Sequence, residues 1–425
     1  MVSNVAFADD APPAQEKLSV HFQSTTGLQA HPAFSAPYSG KNSMPPAAEA
    51  ALAFVTTFSF DGRLWKGAEF IFDPEMSGGF GLGKSVGIAA FPSGIVYRVG
   101  DPAPALYIAR FLLRQTFDLG GGRVPVEAGP NQLAGTAPRD TLTLSAGKLS
   151  LLDVFDGNVY AHDATTQFFD WALFASGAWD YPANTRGYTY ALTADLSVAW
   201  WSIRAGIALE PREANGGDFD PRIDKSRGLS AEVEGRYKVA GHPGAVSSLV
   251  FLNTARMGSY AEVLANPARY DNDITKTRAD GRLKYGATLS VAQELTSFLS
   301  AFLRASINDG ANETWAFTEI DRSLGAGVVV SGGPWKRARD QAGVAFVVSG
   351  LSGLHERYLA GGGYGFLIGD GKLNYRAELE GDIYYRAAVT DWLDLSAIYQ
   401  PVVNPAYNAD RGPIHVVSAR AHVAF

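Results

Sequence analysis

The chain has no cysteine among its 425 residues, which excludes disulfides and thiolate metal sites. It is poor in charge as well: Asp, Glu, Lys and Arg make up 19%, below the ~25% of ordinary soluble domains. The net charge of −7 is spread along the chain with both signs mixed, so no basic patch points to nucleic acid. No predominantly apolar run reaches ~18 residues, so no helix is expected to span a membrane. Sustained helical periodicity is also scarce.

What is present is alternation with period two. In "NYRAELEGDIYYR", Leu379, Ile383 and Tyr385 share one face, while Arg376, Glu378, Glu380 and Asp382 share the other. In "AEVEGRY", Ala231, Val233 and Tyr237 oppose Glu232, Glu234 and Arg236. "RFLLRQTF" sets Phe111, Leu113 and Phe117 against Arg110 and Arg114, and "SFLSAFLRAS" sets Leu299 and Leu303 against Arg304. The chain ends on "SARAHVAF", with Val417, Val423 and Phe425 opposite Arg420 and His422. Such apolar faces are too sparse for the core of a soluble sandwich of this size. They suit an all-β, closed antiparallel transmembrane β-barrel with lipid outside and water inside.

Strands are predicted near 17–29, 50–60, 64–73, 105–118, 141–151, 187–196, 200–210, 228–238, 245–257, 285–294, 296–309, 323–332, 340–349, 374–386, 392–400 and 415–425: sixteen, an even number. Short turns alternate with long loops, as on the two rims of an outer-membrane barrel. One turn is placed at Asp61-Gly62, and the long connection 119–140 breaks the alternation by falling on the short-turn rim. Loops 74–104 and 152–186 are too long to be simple connectors and are expected to fold over the mouth or into the pore. In the second, Asp163 would cap a short helix carrying Phe168, Trp171 and Leu173. Residues 1–16 are expected to be a disordered N-terminus. Within them "VAFADDAPP", with Ala6 and Ala8 in an A-x-A pattern, resembles the end of a secretory signal.

"GGFGLGKS" (Gly78 to Ser85) matches the phosphate-binding pattern G-x-x-x-x-G-K-[ST]. The helix that pattern requires is missing, because "VGIAAFPSG" follows, so nucleotide binding is set aside. The carboxylates Asp153, Asp156, Asp163 and Asp170 could serve a glycosidase only at a separation the sequence does not give; a polar loop in an aqueous lumen is the plainer reading. The histidines lack metal-ligand spacing and no nucleophile signature occurs, so no cofactor and no enzyme is expected. The inward charges Arg110, Arg114, Arg204, Glu232, Glu234, Arg236, Arg304, Arg376, Glu378, Glu380 and Arg386 read either as solvated ion pairs or as a selectivity lining.

Several blocks, "DPEMSGGFGLGKSVGIAAFPSG", "RFLLRQTFDLGGG", "YPANTRGYTYAL", "WSIRAG" and above all "GKLSLLDVFDGNVYAHD", resemble the carbohydrate-selective porins of Gram-negative outer membranes. The resemblance implies a sixteen-stranded barrel passing sugars passively, with both long loops narrowing the pore. Carried over by position, the narrowing would involve Glu75 in the first loop, and Asp153, Asp156, Asn158, His162, Asp163, Asp170 and Trp171 in the second, with Arg110 and Arg114 nearby. Gly157 and Ala90 stand where the family often has Asn and Gly. Trp171, Trp179, Tyr181 and Tyr160 would offer faces to sugar C–H patches or simply pack the loop. Sugars or other small polar solutes, outer-membrane lipid and the barrel-assembly machinery are the expected partners, and the protomer is expected to be a monomer or a homotrimer. Phe425 resembles the terminal aromatic read as an assembly signal. A structural barrel with a plugged lumen, a general non-selective outer-membrane barrel, and a secreted sugar-binding or glycosidase β-protein are the alternatives.

Overall fold

A computed structural model describes residues 14–96 and 103–425. The proposed signal remnant and the stretch 97–102 of the first long loop lie outside the described residues. Sixteen strands follow in chain order: β1 (Leu18–His31), β2 (Glu49–Trp65), β3 (Ala68–Gly79), β4 (Ala105–Val126), β5 (Gly135–Leu149), β6 (Thr189–Val198), β7 (Trp201–Ala208), β8 (Arg227–Val239), β9 (His242–Ala255), β10 (Arg282–Glu294), β11 (Leu299–Asn308), β12 (Arg322–Ser331), β13 (Gln341–Gly350), β14 (Glu378–Ala388), β15 (Leu393–Val403) and β16 (Ile414–Ala424). Each pairs antiparallel with its sequence neighbours. β1 closes the sheet on β16 from Gln23↔Ala424 to Ala30↔Val417. Closure matters because an open sheet edge cannot be satisfied in hydrocarbon.

The alternation sorts the side chains. Leu106, Phe111, Leu192, Val250 and Phe346 point out and are exposed, while Ser418, Arg420 and Glu380 point in and are buried. Among the described residues no helix is long and apolar enough to cross a membrane. The last strand ends as part of an aromatic group: the Phe425 ring lies 5.0 Å from Phe22, and Phe22 is 5.0 Å from Phe58. The backbones of Phe22 and Phe425 exchange hydrogen bonds of 2.8 and 3.0 Å.

Three local expectations need correction. Asp61-Gly62 is not a turn, for both residues pair with the start of β1 and β2 runs on to Trp65. Gly67 makes the turn instead, with φ +78°, where a Cβ would collide with the Thr116 carbonyl. The long connection 119–140 is mostly strand. β4 and β5 continue past the rim as a hairpin, and the run Gly120–Gly122 absorbs two register shifts with positive φ. The hairpin tip turns back under the barrel, where the Asn131 N–H donates to Asp61 (3.1 Å) and the Arg114 guanidinium donates to the Asn131 carbonyl (3.0 Å). Glu16 is tied to the same hairpin through the Ala134 backbone. Finally, β14 starts at Glu378, so Arg376 precedes the strand and is exposed, outside the inward row in which the alternation placed it.

Candidate solute channel

The extracellular loops fold into the barrel. Segment 150–188 is buried over most of its length. Its helix is shorter than expected, Trp171–Phe174, and is capped by Asp170, which accepts the Ala172 N–H at 2.7 Å. Asp163 makes a local turn instead, accepting from Thr165 and Thr166. Inside the barrel the loop builds its own aromatic core. Trp171 stacks on Phe317 (5.8 Å, 24°), Tyr181 meets Phe317 at 4.6 Å, Phe91 meets Trp171 at 5.6 Å, and Phe155 meets Trp179 at 6.2 Å. Each such ring taken out of water contributes roughly 1.5–3 kcal/mol. Trp171, Trp179 and Tyr181 therefore pack the loops rather than presenting open faces. Phe317 comes from the connection after β11, whose Glu319 also accepts the amides of Leu367 (2.7 Å) and Ile368 (2.8 Å) in the connection after β13. Sequence reasoning assigned no role to either connection; the apolar pair Trp315 and Phe317 within "ETWAFTEID" was the available signal.

Inward charges on the β11–β16 side hold this plug. Arg304 pairs with Asp156 at 2.6 Å and donates to the carbonyls of Asp156 (3.0 Å) and Ala161 (2.7 Å). Asp156 also receives both the N–H and the hydroxyl of Ser176 at 2.7 Å. Arg420 donates to the carbonyls of Ala164 (2.7 Å) and Gln167 (2.8 Å). Glu378 accepts the N–H groups of Ala89 and Ala90, seating the first long loop. Asn158 reaches Ser290 (3.0 Å) on β10, and the His162 ring touches the Leu152 carbonyl (2.9 Å). Burial first, then the Arg304 charge, lowers the His162 pKa, so the ring is neutral at pH 7. Toward the periplasmic rim this side opens again, and Arg386 and Asp394 (3.6 Å) are partly exposed.

Across the lumen, on β3–β8, the inward arginines are partly exposed. Arg110 bridges Asp73 (3.1 Å) and Asp153 (2.6 Å) with its side chain 17% exposed. Arg114 stands 3.9 Å from Glu69 and is 29% exposed. Arg204 meets Asp195 (3.1 Å), Glu232 (2.5 Å) and Glu234 (3.0 Å), and Arg236 meets Glu234 at 2.7 Å and is 33% exposed. Every arginine in this column has at least one carboxylate partner, so the wall offers many charged donors and acceptors. Glu232 belongs to both regions: its other oxygen accepts the Asp156 N–H at 2.6 Å, which ties the plug to the column. Above the column, Glu75 lies not in the first long loop, as expected, but within β3, which runs on to Gly79; buried there, it accepts from Thr57 (2.7 Å), Tyr107 and Tyr188 (3.1 Å). Arg186 lies 4.1 Å over the Tyr107 ring and Arg110 5.4 Å over that of Tyr188.

Of the residues singled out from sequence, Glu75, Arg110, Arg114, Asp153, Arg204, Glu234 and Arg236 thus gather along the β3–β8 wall. Asp156, Asn158, His162, Asp163, Asp170, Trp171, Arg304, Glu378 and Glu380 belong to the plug and its fastening.

Residues 54–425 are matched by the family described as carbohydrate-selective porin, OprB family. Among solved structures the chain is similar to the high-pH structure of Pseudomonas putida OprB, with TM-score 0.74 and 15% identity over 96% of this chain and 94% of that one. The low-pH structure of the same protein gives TM-score 0.52 and 12% identity over 96% and 93%. The outer membrane channel DcaP of Acinetobacter baumannii gives 0.50 and 8% over 96% and 97%. At these identities the structural likeness is one of fold. No curated protein sequence matches.

Proposed function

Since the chain belongs to the carbohydrate-selective porin family, as the match over residues 54–425 shows, we propose that solutes cross it through the open sector between β3–β8 and the packed loops. The protein is an outer-membrane porin for passive diffusion of carbohydrates, and its family and fold are those of channel proteins. The observation that carries the finer reading is the arginine column of Arg110, Arg114, Arg204 and Arg236, each partly exposed and each neutralised by an acid. Paired charges suit neutral polyols, because hydroxyl groups both donate to the carboxylates and accept from the guanidinium groups. Tyr107, half-buried, supplies a ring edge at the extracellular end of the column, packed against the buried Tyr188. Rapid passage needs weak binding, so no tight site is assigned.

Uptake into liposomes across a sugar panel tests this reading. Sugars should enter faster than a size-matched neutral non-sugar, and equal rates would reduce the protein to a size filter. The burial of the 150–188 loop favours one second reading, a structural barrel closed by its plug, and that reading requires no current in a planar bilayer. The A-x-A stretch supports export through the periplasm with loss of a signal, and the terminal Phe425 supports recognition by the barrel-assembly machinery. Detergent-phase mass measurement distinguishes monomer from homotrimer.

A further inference from the structure

β14 carries carboxylates on three successive inward positions, Glu378, Glu380 and Asp382, each at most 2% exposed. The loop carboxylate Asp170, 0% exposed, is pressed against them. Glu378 is well satisfied, accepting the backbone N–H groups of Ala89 (3.0 Å), Ala90 (2.9 Å) and Ala406 (2.6 Å). Asp382 accepts those of Phe169 (2.7 Å) and Asp170 (3.0 Å) and the Gln400 side chain (3.2 Å). Glu380 receives no donor from another group at either oxygen, whereas Asp170 and Asp382 each keep only one oxygen bare, Oδ2 and Oδ1. Glu380 lies within hydrogen-bonding reach of Asp170 on the loop and of Glu378 on its own strand.

Nothing nearby neutralises them. The guanidinium of Arg420, on β16, donates to the carbonyls of Ala164 and Gln167 and to the Ser396 hydroxyl, leaves its Nε without a partner, and has Asp163 and Asp382 as its nearest acids. Arg386 pairs with Asp394, lower in the barrel, and His422 is bonded to Thr25. Asp163, on the loop itself, adds negative charge and is held by its own turn. Among the described residues no group of three or more acidic or histidine side chains has the arrangement to hold a metal ion. Two buried carboxylates facing each other cannot both ionise, so the missing positive charge is a proton.

We propose that Asp170 and Glu380 share one proton, and that this proton latches loop 150–188 onto β14. The latch makes the channel pH-dependent, a regulation of the pore that rests on the channel reading above. Burial pushes the Asp170 carboxyl up to about 7; its hydrogen bond with Glu380 offsets part of this and the Asp382 charge adds to it. A carboxyl whose pKa is raised in the docked loop binds its proton more tightly there than when the loop is free. The docked state is therefore favoured most below the ordinary Asp value of about 3.9. It weakens as pH rises from about 4 to about 7 and changes little beyond. Within that window the docked-to-loosened ratio falls by about tenfold per pH unit.

Single-channel conductance of the full chain in planar bilayers between pH 4 and pH 8 tests the latch. Wild-type conductance should rise through the window and level off near neutrality. Asp170→Asn keeps the cap on Ala172 and can donate to Glu380 without a titrating proton, so its conductance should stay low and flat. Glu380→Gln should do the same from the other side, which guards against a folding defect in one variant. Titration of solvated charges is common to all three proteins, so the difference from wild type is the readout. The same pH-dependent rise in both variants, or a flat wild type, overturns the latch while leaving the channel intact. Absence of current at every pH overturns the channel reading and the latch with it.

Discussion

Arg304 on β11 and Arg236 on β8 both point into the lumen and both meet a carboxylate, at 2.6 and 2.7 Å. Their surroundings differ. The Arg304 side chain is 1% exposed and its partner Asp156 is on a loop; the Arg236 side chain is 33% exposed and its partner Glu234 is on the same strand. On one side of the lumen an inward charge is a fastener that seats a loop. On the other, Arg236 stays partly in water, where a passing solute meets it, while Arg110 combines the two, partly exposed yet paired with the loop carboxylate Asp153. The same strand alternation produces both, and what decides between them is whether a loop reaches that sector of the wall.

Variants that treat the two sides alike should therefore behave differently. Arg304→Ala leaves the Asp156 carboxylate buried without its ion pair, and the loss should be the largest, about 3–5 kcal/mol in detergent unfolding, accompanied by higher conductance as the plug loosens. A stable Arg304→Ala with unchanged conductance would erase the distinction. Removing Phe425 deletes two ladder hydrogen bonds to Phe22, at about 1 kcal/mol each, and the girdle ring. Outer-membrane yield should fall while the conductance of assembled protein is kept, and normal yield would remove the assembly role. Arg110→Ala frees Asp73 and Asp153 from their shared cation, so the reversal potential in a salt gradient should shift toward cation selectivity. No shift would place Arg110 away from the solute path. Arg236→Ala should be mildest, within ~1 kcal/mol for a partly solvated pair, with a small change in sugar flux.

The barrel itself was legible in the sequence, because a strand with lipid on one face and polar groups on the other must alternate, and all sixteen strands were found on that basis. The errors lie where backbone conformation overrides the pattern. Asp61-Gly62 has the letters of a turn, but the pairing of Leu18 with Gly62 keeps the strand going. The glycines at 120–122 read as a loop and instead bend a continuing hairpin. Arg376 continues the alternation of β14 on paper, yet the strand begins two residues later. The site was only partly legible. Period two tells which residues face inward, as with Arg304, Glu378 and Arg236. It does not tell which of them a distant loop will cover, since the contact between Asp156 and Arg304 spans 148 residues. The plug's reliance on Phe317 and Glu319 was hidden for the same reason.

The central claim is that solutes travel along the β3–β8 wall and not along β16. The chain has no cysteine, so any introduced thiol is the sole one. Thr143→Cys would place it on β5 beside Thr116, half-buried on the open side, and Ser418→Cys on β16, buried beneath the plug against Gln29. A charged thiol reagent added during bilayer recording should cut the current through Thr143→Cys, more slowly when sugar is present, and leave Ser418→Cys unaffected. Rapid block of Ser418→Cys with Thr143→Cys untouched would contradict the account.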